Sequence, residues 1–134
     1  MRLTQTAEYA LRALSHMATL PEDTPIRAQD LSHVTGIPLP YLSKIMRRLV
    51  EAGLLRSQKG HGGGFKFARP LAEIRFADVL NAIDYEVEPI GCVFGWGTCN
   101  STDPCPLHPF WKSLKDEFSQ WAEHYTLADV RANT

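Results

Sequence analysis

Ile37-Pro38-Leu39-Pro40-Tyr41-Leu42-Ser43-Lys44-Ile45-Met46-Arg47-Arg48-Leu49, followed shortly by Lys59-Gly60-His61-Gly62-Gly63-Gly64-Phe65, decides the fold of this chain. A proline is welcome at the first helical position, so Pro40 is expected to open a helix. Leu42, Ile45, Met46 and Leu49 then recur at i, i+3, i+4 and i+7, which is one apolar face. Pro40, Ser43, Lys44 and Arg47 fall opposite at the same spacing. That outer face offers small and cationic donors to a groove of about 12 Å width. Arg48 lies on the flank, where it would suit a phosphate. By itself, such a face is ordinary solvated helix.

The neighbouring sequence changes that balance. Upstream, a short helix is expected to carry Ala28, Leu31 and Val34 inward and to close at Gly36. Downstream, residues 54–58 and 65–68 read as two short strands around a glycine turn. Two helices joined by a glycine turn and followed by a hairpin match helix-turn-helix with a wing. The consecutive glycines at 62–64 permit positive φ and let backbone approach backbone. Lys59 and His61 beside them would meet phosphates or a narrow minor groove. A nucleotide-binding loop is excluded, because Phe65 stands where the last glycine of G-x-G-x-x-G belongs and no Gly-Lys-Ser/Thr occurs. Cations at both helix and turn make DNA the expected partner.

Outward from this centre, Thr4 can cap a first helix reaching about residue 19, with Ala7, Ala10, Leu11, Leu14, Met17 and Ala18 on one face. Pro21-Glu22-Asp23-Thr24-Pro25 is loop by composition. A further helix is expected over residues 76–84. From Phe110, the residues Trp111, Leu114, Phe118, Trp121 and Tyr125 form an aromatic stripe at helical spacing. It either packs on its own domain or is buried against a symmetry mate, and DNA-reading dimers favour the second.

The 134 residues suit one domain, and 44% hydrophobic composition is enough for a core. No apolar run approaches the roughly 20 residues of a membrane helix. The opening residues lack the apolar stretch of a signal peptide, so a cytoplasmic location and no membrane partner are expected. Residues 1–70 hold ten Lys/Arg against five acids, a net of +5, and residues 71–134 hold four against ten, a net of −6. The basic half is the one that carries the reading helix and the wing.

Residues 86–109 are Gly-, Pro- and Cys-rich, without periodicity. They contain Cys92-x6-Cys99-x5-Cys105-x2-His108. Three thiolates and an imidazole within 17 residues can wrap a metal centre. Their neighbours have loop composition, whereas free structural cysteines usually sit among apolar residues. Zinc and iron–sulfur both accept this donor set, and spacing does not separate them. His16, His33 and His124 have no clustered partners. No acid/base pair or nucleophile arrangement stands outside the metal loop, so an enzyme is not expected.

Several stretches together resemble the IscR/NsrR family of bacterial winged-helix regulators that carry an iron–sulfur cluster. They are Met1-Arg2-Leu3-Thr4, Glu8-Tyr9-Ala10-Leu11-Arg12-Ala13-Leu14, Tyr41-Leu42, the wing glycines through Phe65, the cysteine loop, and Tyr125-Thr126-Leu127-Ala128-Asp129. The resemblance implies a homodimer crossed through the long C-terminal helix, with Cys92, Cys99 and Cys105 as cluster ligands. It also implies DNA contacts from Arg2, Thr4, Pro40, Tyr41, Ser43 and Lys44, and from Lys59, Gly60, His61 and Gly62 of the wing. Ser43 replaces an acidic residue of the iron–sulfur-assembly regulators, so their operator code does not carry over. For the fourth ligand, His108 follows Cys105 by one helical turn and matches the cysteine-x-x-histidine of those regulators, which points to 2Fe–2S. The rival is Glu8 of the partner chain, as in the nitric-oxide-sensing relatives with 4Fe–4S.

The expectation is a mainly α protein: a winged helix-turn-helix with a two-stranded wing over residues 1–85, a cluster-binding loop over 86–109, and a dimerisation helix and tail over 110–134. Its expected role is a dimeric transcription regulator, a repressor, responsive to iron, redox state or nitric oxide through an iron–sulfur cluster. The alternative is a DNA-binding or interaction module with structural zinc.

Overall fold

Thr4 caps the first helix. Its backbone is extended and its Oγ1 accepts the Ala7 amide at 3.2 Å, which satisfies one of the free donors of the first turn. The computed structural model describes residues 3–84 and 106–134. Its elements are α1 (Gln5–Ala18), α2 (Ala28–Thr35), α3 (Leu39–Glu51), β1 (Leu55–Gln58), β2 (Gly64–Phe67), a 3-10 turn (Leu71–Glu73), α4 (Phe76–Ala82), α5 (His108–His124) and α6 (Leu127–Ala132).

Helix α1 is the hub. Its buried face is Ala7, Ala10, Ala13, Leu14, Met17 and Ala18. Four alanines keep that face thin, and α2, α3, α4 and α6 all pack on α1. Helix α3 buries Leu42, Ile45, Met46 and Leu49 as expected, each worth roughly 1.5–3 kcal/mol when removed from water. It starts at Leu39, one residue early, with Pro38 as cap and Pro40 inside the first turn.

Helix α2 departs from expectation. Leu31 is buried, but Val34 is 54% exposed. A helix of eight residues gives one side chain a full seat in the core. The chain then turns at Gly36, whose φ of 74° closes the helix, and Ile37 is fully buried instead.

The wing is a two-stranded antiparallel sheet pairing Leu55 with Phe67 and Gln58 with Gly64, within a residue of the expected strands. Its anchor is not visible in the local sequence. Ile26, just ahead of α2, exchanges two backbone hydrogen bonds with Phe65, at 3.0 and 2.8 Å. The hairpin is thereby tied to the helical body.

The C-terminal part is also more than one helix and a tail. Helix α5 opens at His108 and ends at Tyr125, whose extended backbone lets its carbonyl accept the Phe76 amide at 2.9 Å. Thr126 and Asp129 then form a capping box for α6, which packs back on α1 and the 3-10 turn. Ala122 and Leu127 belong to the same hydrophobic cluster as α1 and α3. Within the aromatic stripe, Trp111 is 1% exposed, whereas Leu114, Trp121 and Tyr125 remain on the surface. Trp121 packs edge-on against Phe76, with ring centres 5.2 Å apart.

Asp78 caps α4 from inside. Its carboxylate accepts the Arg75 backbone amide at 2.9 Å and the Arg75 guanidinium at 3.1 Å. Partial burial alone would raise this carboxyl. The Arg75 hydrogen bonds, with the charges of Arg75 and Arg69, outweigh burial and hold it below its ordinary value. A depressed carboxyl stabilises the fold above its unfolded-state pKa, and that contribution is lost as pH falls through the folded-state one. Asp78→Ala is expected to lower stability by about 1 kcal/mol at pH 7. In paired thermal melts the gap to wild type should shrink below about pH 4. A gap that stays constant into acid would show that this carboxylate is not the group involved.

Candidate nucleic-acid interface and metal donors

The rotation of α3 is fixed by its buried face, and this decides what it shows to solvent. Pro40, Tyr41, Ser43, Lys44 and Arg47 are all exposed on its outer side. Among the described residues, Lys44, Arg47 and Lys59 have no hydrogen-bond or ion-pair partner, so their charges are uncompensated locally. Such cations suit a polyanion. Tyr41 stands over α1, its ring 6.4 Å from that of Tyr9. Tyr9 is itself held by Gln5, which donates to its hydroxyl at 3.0 Å, and by the Arg12 guanidinium 5.5 Å from its ring centre. Between α1 and α3 runs a groove of about 440 Å³ lined by Gln5, Tyr9, Tyr41, Lys44, Arg47 and Arg48.

Arg48 departs from the free, phosphate-facing placement expected of it. Its Nη1 donates to the Ile83 carbonyl at 3.2 Å and lies 4.0 Å from the Asp84 carboxylate. Nothing in the local sequence of α3 shows this contact.

At the wing tip, Lys59, Gly60, His61 and Gly62 are exposed. The Gly63 amide closes the turn on the Gly60 carbonyl at 3.0 Å, and Arg27 reaches that same carbonyl at 3.4 Å. Gly63 is needed for space: a Cβ there would lie 2.3 Å from the Gln58 carbonyl oxygen. That neighbour is backbone and has nowhere to go. Gly63→Ala is therefore expected to open the wing at a cost of about 1–3 kcal/mol. Amide exchange should quicken through residues 58–64 while α1 and α3 keep their protection. Unchanged exchange in the wing would disprove the fit.

Of the remaining expected contacts, Thr4 is at the surface as the α1 cap, and Arg2 lies outside the described residues. Cys92, Cys99 and Cys105 also lie outside them. Glu8 is half-buried in the first turn of α1, and His108 is half-buried as the first residue of α5. Among the described residues, no three His, Cys, Asp or Glu side chains gather as a metal site. Trp111 lies one turn beyond His108. Its buried Nε1 is the one buried side-chain polar atom among the described residues without a hydrogen-bond partner. A buried donor of this kind costs about 1–3 kcal/mol unless an acceptor meets it.

The family model of Rrf2, an iron-dependent transcriptional regulator, matches residues 3–133. The transcriptional regulators IscR of Cronobacter sakazakii and of Escherichia coli K12 are each 33% identical over 133 residues, covering 99% of this chain and 82% of theirs. Among solved structures, CymR, the global cysteine regulator of B. subtilis, superposes with a TM-score of 0.84 at 17% identity, over 100% of this chain and 98% of its own. IscR of T. potens superposes at 0.79 with 21% identity, over 99% and 88%. Both share the winged-helix fold seen here. No helix among the described residues is long and apolar enough to cross a membrane. With an outward cationic reading helix, a cationic wing and this match over nearly its whole length, the chain belongs to the Rrf2 family of DNA-binding transcription regulators, which are not enzymes.

Proposed function

We propose that this protein is a cytoplasmic, homodimeric repressor whose operator affinity is set by an iron–sulfur cluster responsive to iron, redox state or nitric oxide. Cys92, Cys99, Cys105 and His108 would hold the cluster, with Glu8 of the partner chain as the rival fourth ligand. The observation that carries this reading is the donor set itself. Three thiolates and an imidazole in one short stretch run directly into α5, where the Trp111 N–H, one turn past His108, is buried without a partner among the described residues. A sulfur-rich centre supplies the acceptors that such a donor lacks. The residues present therefore fit the group. When bound, the cluster would supply an iron- and redox-sensitive centre.

The protein's own residues supply the rest. Helix α3 would enter the major groove with Pro40, Tyr41, Ser43, Lys44 and Arg47 toward base edges and nearby phosphates. Lys59, Gly60, His61 and Gly62 would meet the flanking backbone or minor groove, with Arg2 and Thr4 contributing from the start of α1. The surface of α5 favours a second copy. Phe110 is 71% exposed, and Leu114 and Trp121 lie on the surface of the same helix.

The two cations should fail differently. Lys44→Ala is expected to cost about 1–3 kcal/mol on the specific site and to relax sequence preference there. Lys59→Ala should weaken all duplexes alike and lower the salt slope by about one unit. Small, equal effects on the protein's own promoter DNA would end this docking.

Protein purified without air is expected to be brown, and loaded and cluster-free dimers should differ in operator affinity by about 5- to 150-fold. Colourless protein carrying zinc, or identical titration curves, would reduce the centre to a structural metal. In the same experiment, His108→Ala should alter the visible spectrum and shorten cluster lifetime, and Glu8→Ala should not. The reverse result would place the fourth ligand on the other chain.

A further inference from the structure

Arg48 is the side chain that ties the reading helix to the end of α4. It projects from the flank of α3, beside Arg47 and one turn beyond Lys44. Its guanidinium crosses to another element and donates to a carbonyl 35 residues away in sequence. The acceptor belongs to Ile83, which is buried and ends α4, where the last carbonyls lack helical partners. The same guanidinium lies 4.0 Å from Asp84. Asp84 turns the chain with a φ of 58°, a region that residues other than glycine rarely enter. Eight residues further along the sequence is Cys92.

We propose that Arg48 is a positioning residue that links the orientation of α3 on DNA to the start of the cysteine-bearing segment. It does so by holding the Ile83 carbonyl and the Asp84 carboxylate. This inference rests on the proposed cluster control for its biological meaning, but not for its physical test. A planar guanidinium makes a directional, charge-assisted bond and can face carbonyl and carboxylate together. A displacement of residues 83–84 is therefore felt at the flank of α3, and DNA bound to α3 is felt at residues 83–84. Such a link shifts an equilibrium only if the two states of the segment hold Arg48 differently. A bare helix cap would stabilise both states alike.

The test uses the full chain as wild type, Arg48→Gln and Arg48→Lys, with and without cluster, on the duplex that wild type binds most tightly. Two quantities are read: the ratio of operator affinities between loaded and cluster-free protein, and amide exchange at residues 79–84 with and without that duplex. In wild type, the duplex is expected to slow exchange at the end of α4, and the affinity ratio to lie in the range of about 5- to 150-fold. Arg48→Gln should lose the slowing and bring the ratio to within about threefold of one, with an unchanged circular dichroism spectrum. Arg48→Lys keeps the charge but not the reach. It should lose the ratio in the same way while keeping the wild-type salt slope on DNA, which separates a positioning arginine from a phosphate contact.

Either folded variant with a wild-type ratio and wild-type slowing overturns the proposal, even if it melts at lower temperature. Should Arg48→Gln fail to fold, Arg48→Lys alone decides by the same criterion. If wild type shows equal affinities but the duplex still slows α4, and both changes abolish that slowing, the link stands and cluster control falls. If wild type shows neither effect, both fall.

Discussion

The packing of α3 on α1, with the apolar face of α3 buried, is the constraint on which the rest depends. Ala7, Ala10 and Ala13 present almost no side chain, which lets neighbouring helices approach α1 closely, and α3 is one of those that pack on it with its apolar face buried. Once Leu42, Ile45, Met46 and Leu49 are inside, the rotation of α3 is determined. Lys44 and Arg47 face outward because no other rotation buries four large side chains. The chemistry of the outer face is thus set by packing on the inner one.

The same hub organises the C-terminal part. Helix α6 packs on α1, and Ala122 and Leu127 join the cluster that holds the reading helix. The described residues on both sides of the cysteine-bearing stretch, up to Asp84 and from Pro106, therefore belong to elements attached to one core. On the first side, the Ile83 carbonyl accepts from Arg48; on the second, Trp111 is buried and its N–H has no partner among the described residues. These are the places where packing is tied to polar groups with few alternatives. A polar group in a half-dry setting loses more when its partner leaves than an apolar one does.

Local features were legible in the sequence; contacts between distant residues were not. The Thr4 cap, the buried face of α3, the Gly36 turn and the wing strands each depend on residues within a few positions of one another. Val34 misled because helical spacing says which residues share a face, not whether a partner covers the whole length of that face. The Ile26–Phe65 pairing and the Arg48–Ile83 bond join residues 39 and 35 positions apart, and no periodicity encodes them. Helix α6 was hidden by its shortness. Its capping box, Thr126 with Asp129, was the signal that could have found it. Of the candidate site, the exposed cations of α3 were readable because exposure follows from the opposite face being apolar. The candidate metal donors were readable only as a set of residue types, and the three cysteines among them lie outside the described residues.

The wing and the outward face of α3 are held in place by different physical means. Helix α3 is held by buried apolar area, which ionic strength scarcely affects. The wing turn is held by backbone geometry: the Gly63 amide on Gly60, the tight approach to Gln58, and the Ile26 pairing. Neither Lys44 nor Lys59 is fixed by an ion pair among the described residues, so neither must give up an internal partner to meet a phosphate. Arg48 is the exception, already engaged with Ile83 and Asp84. A cation free in the protein adds affinity on any duplex. A cation shared between the reading helix and another element can make that affinity depend on where the other element sits.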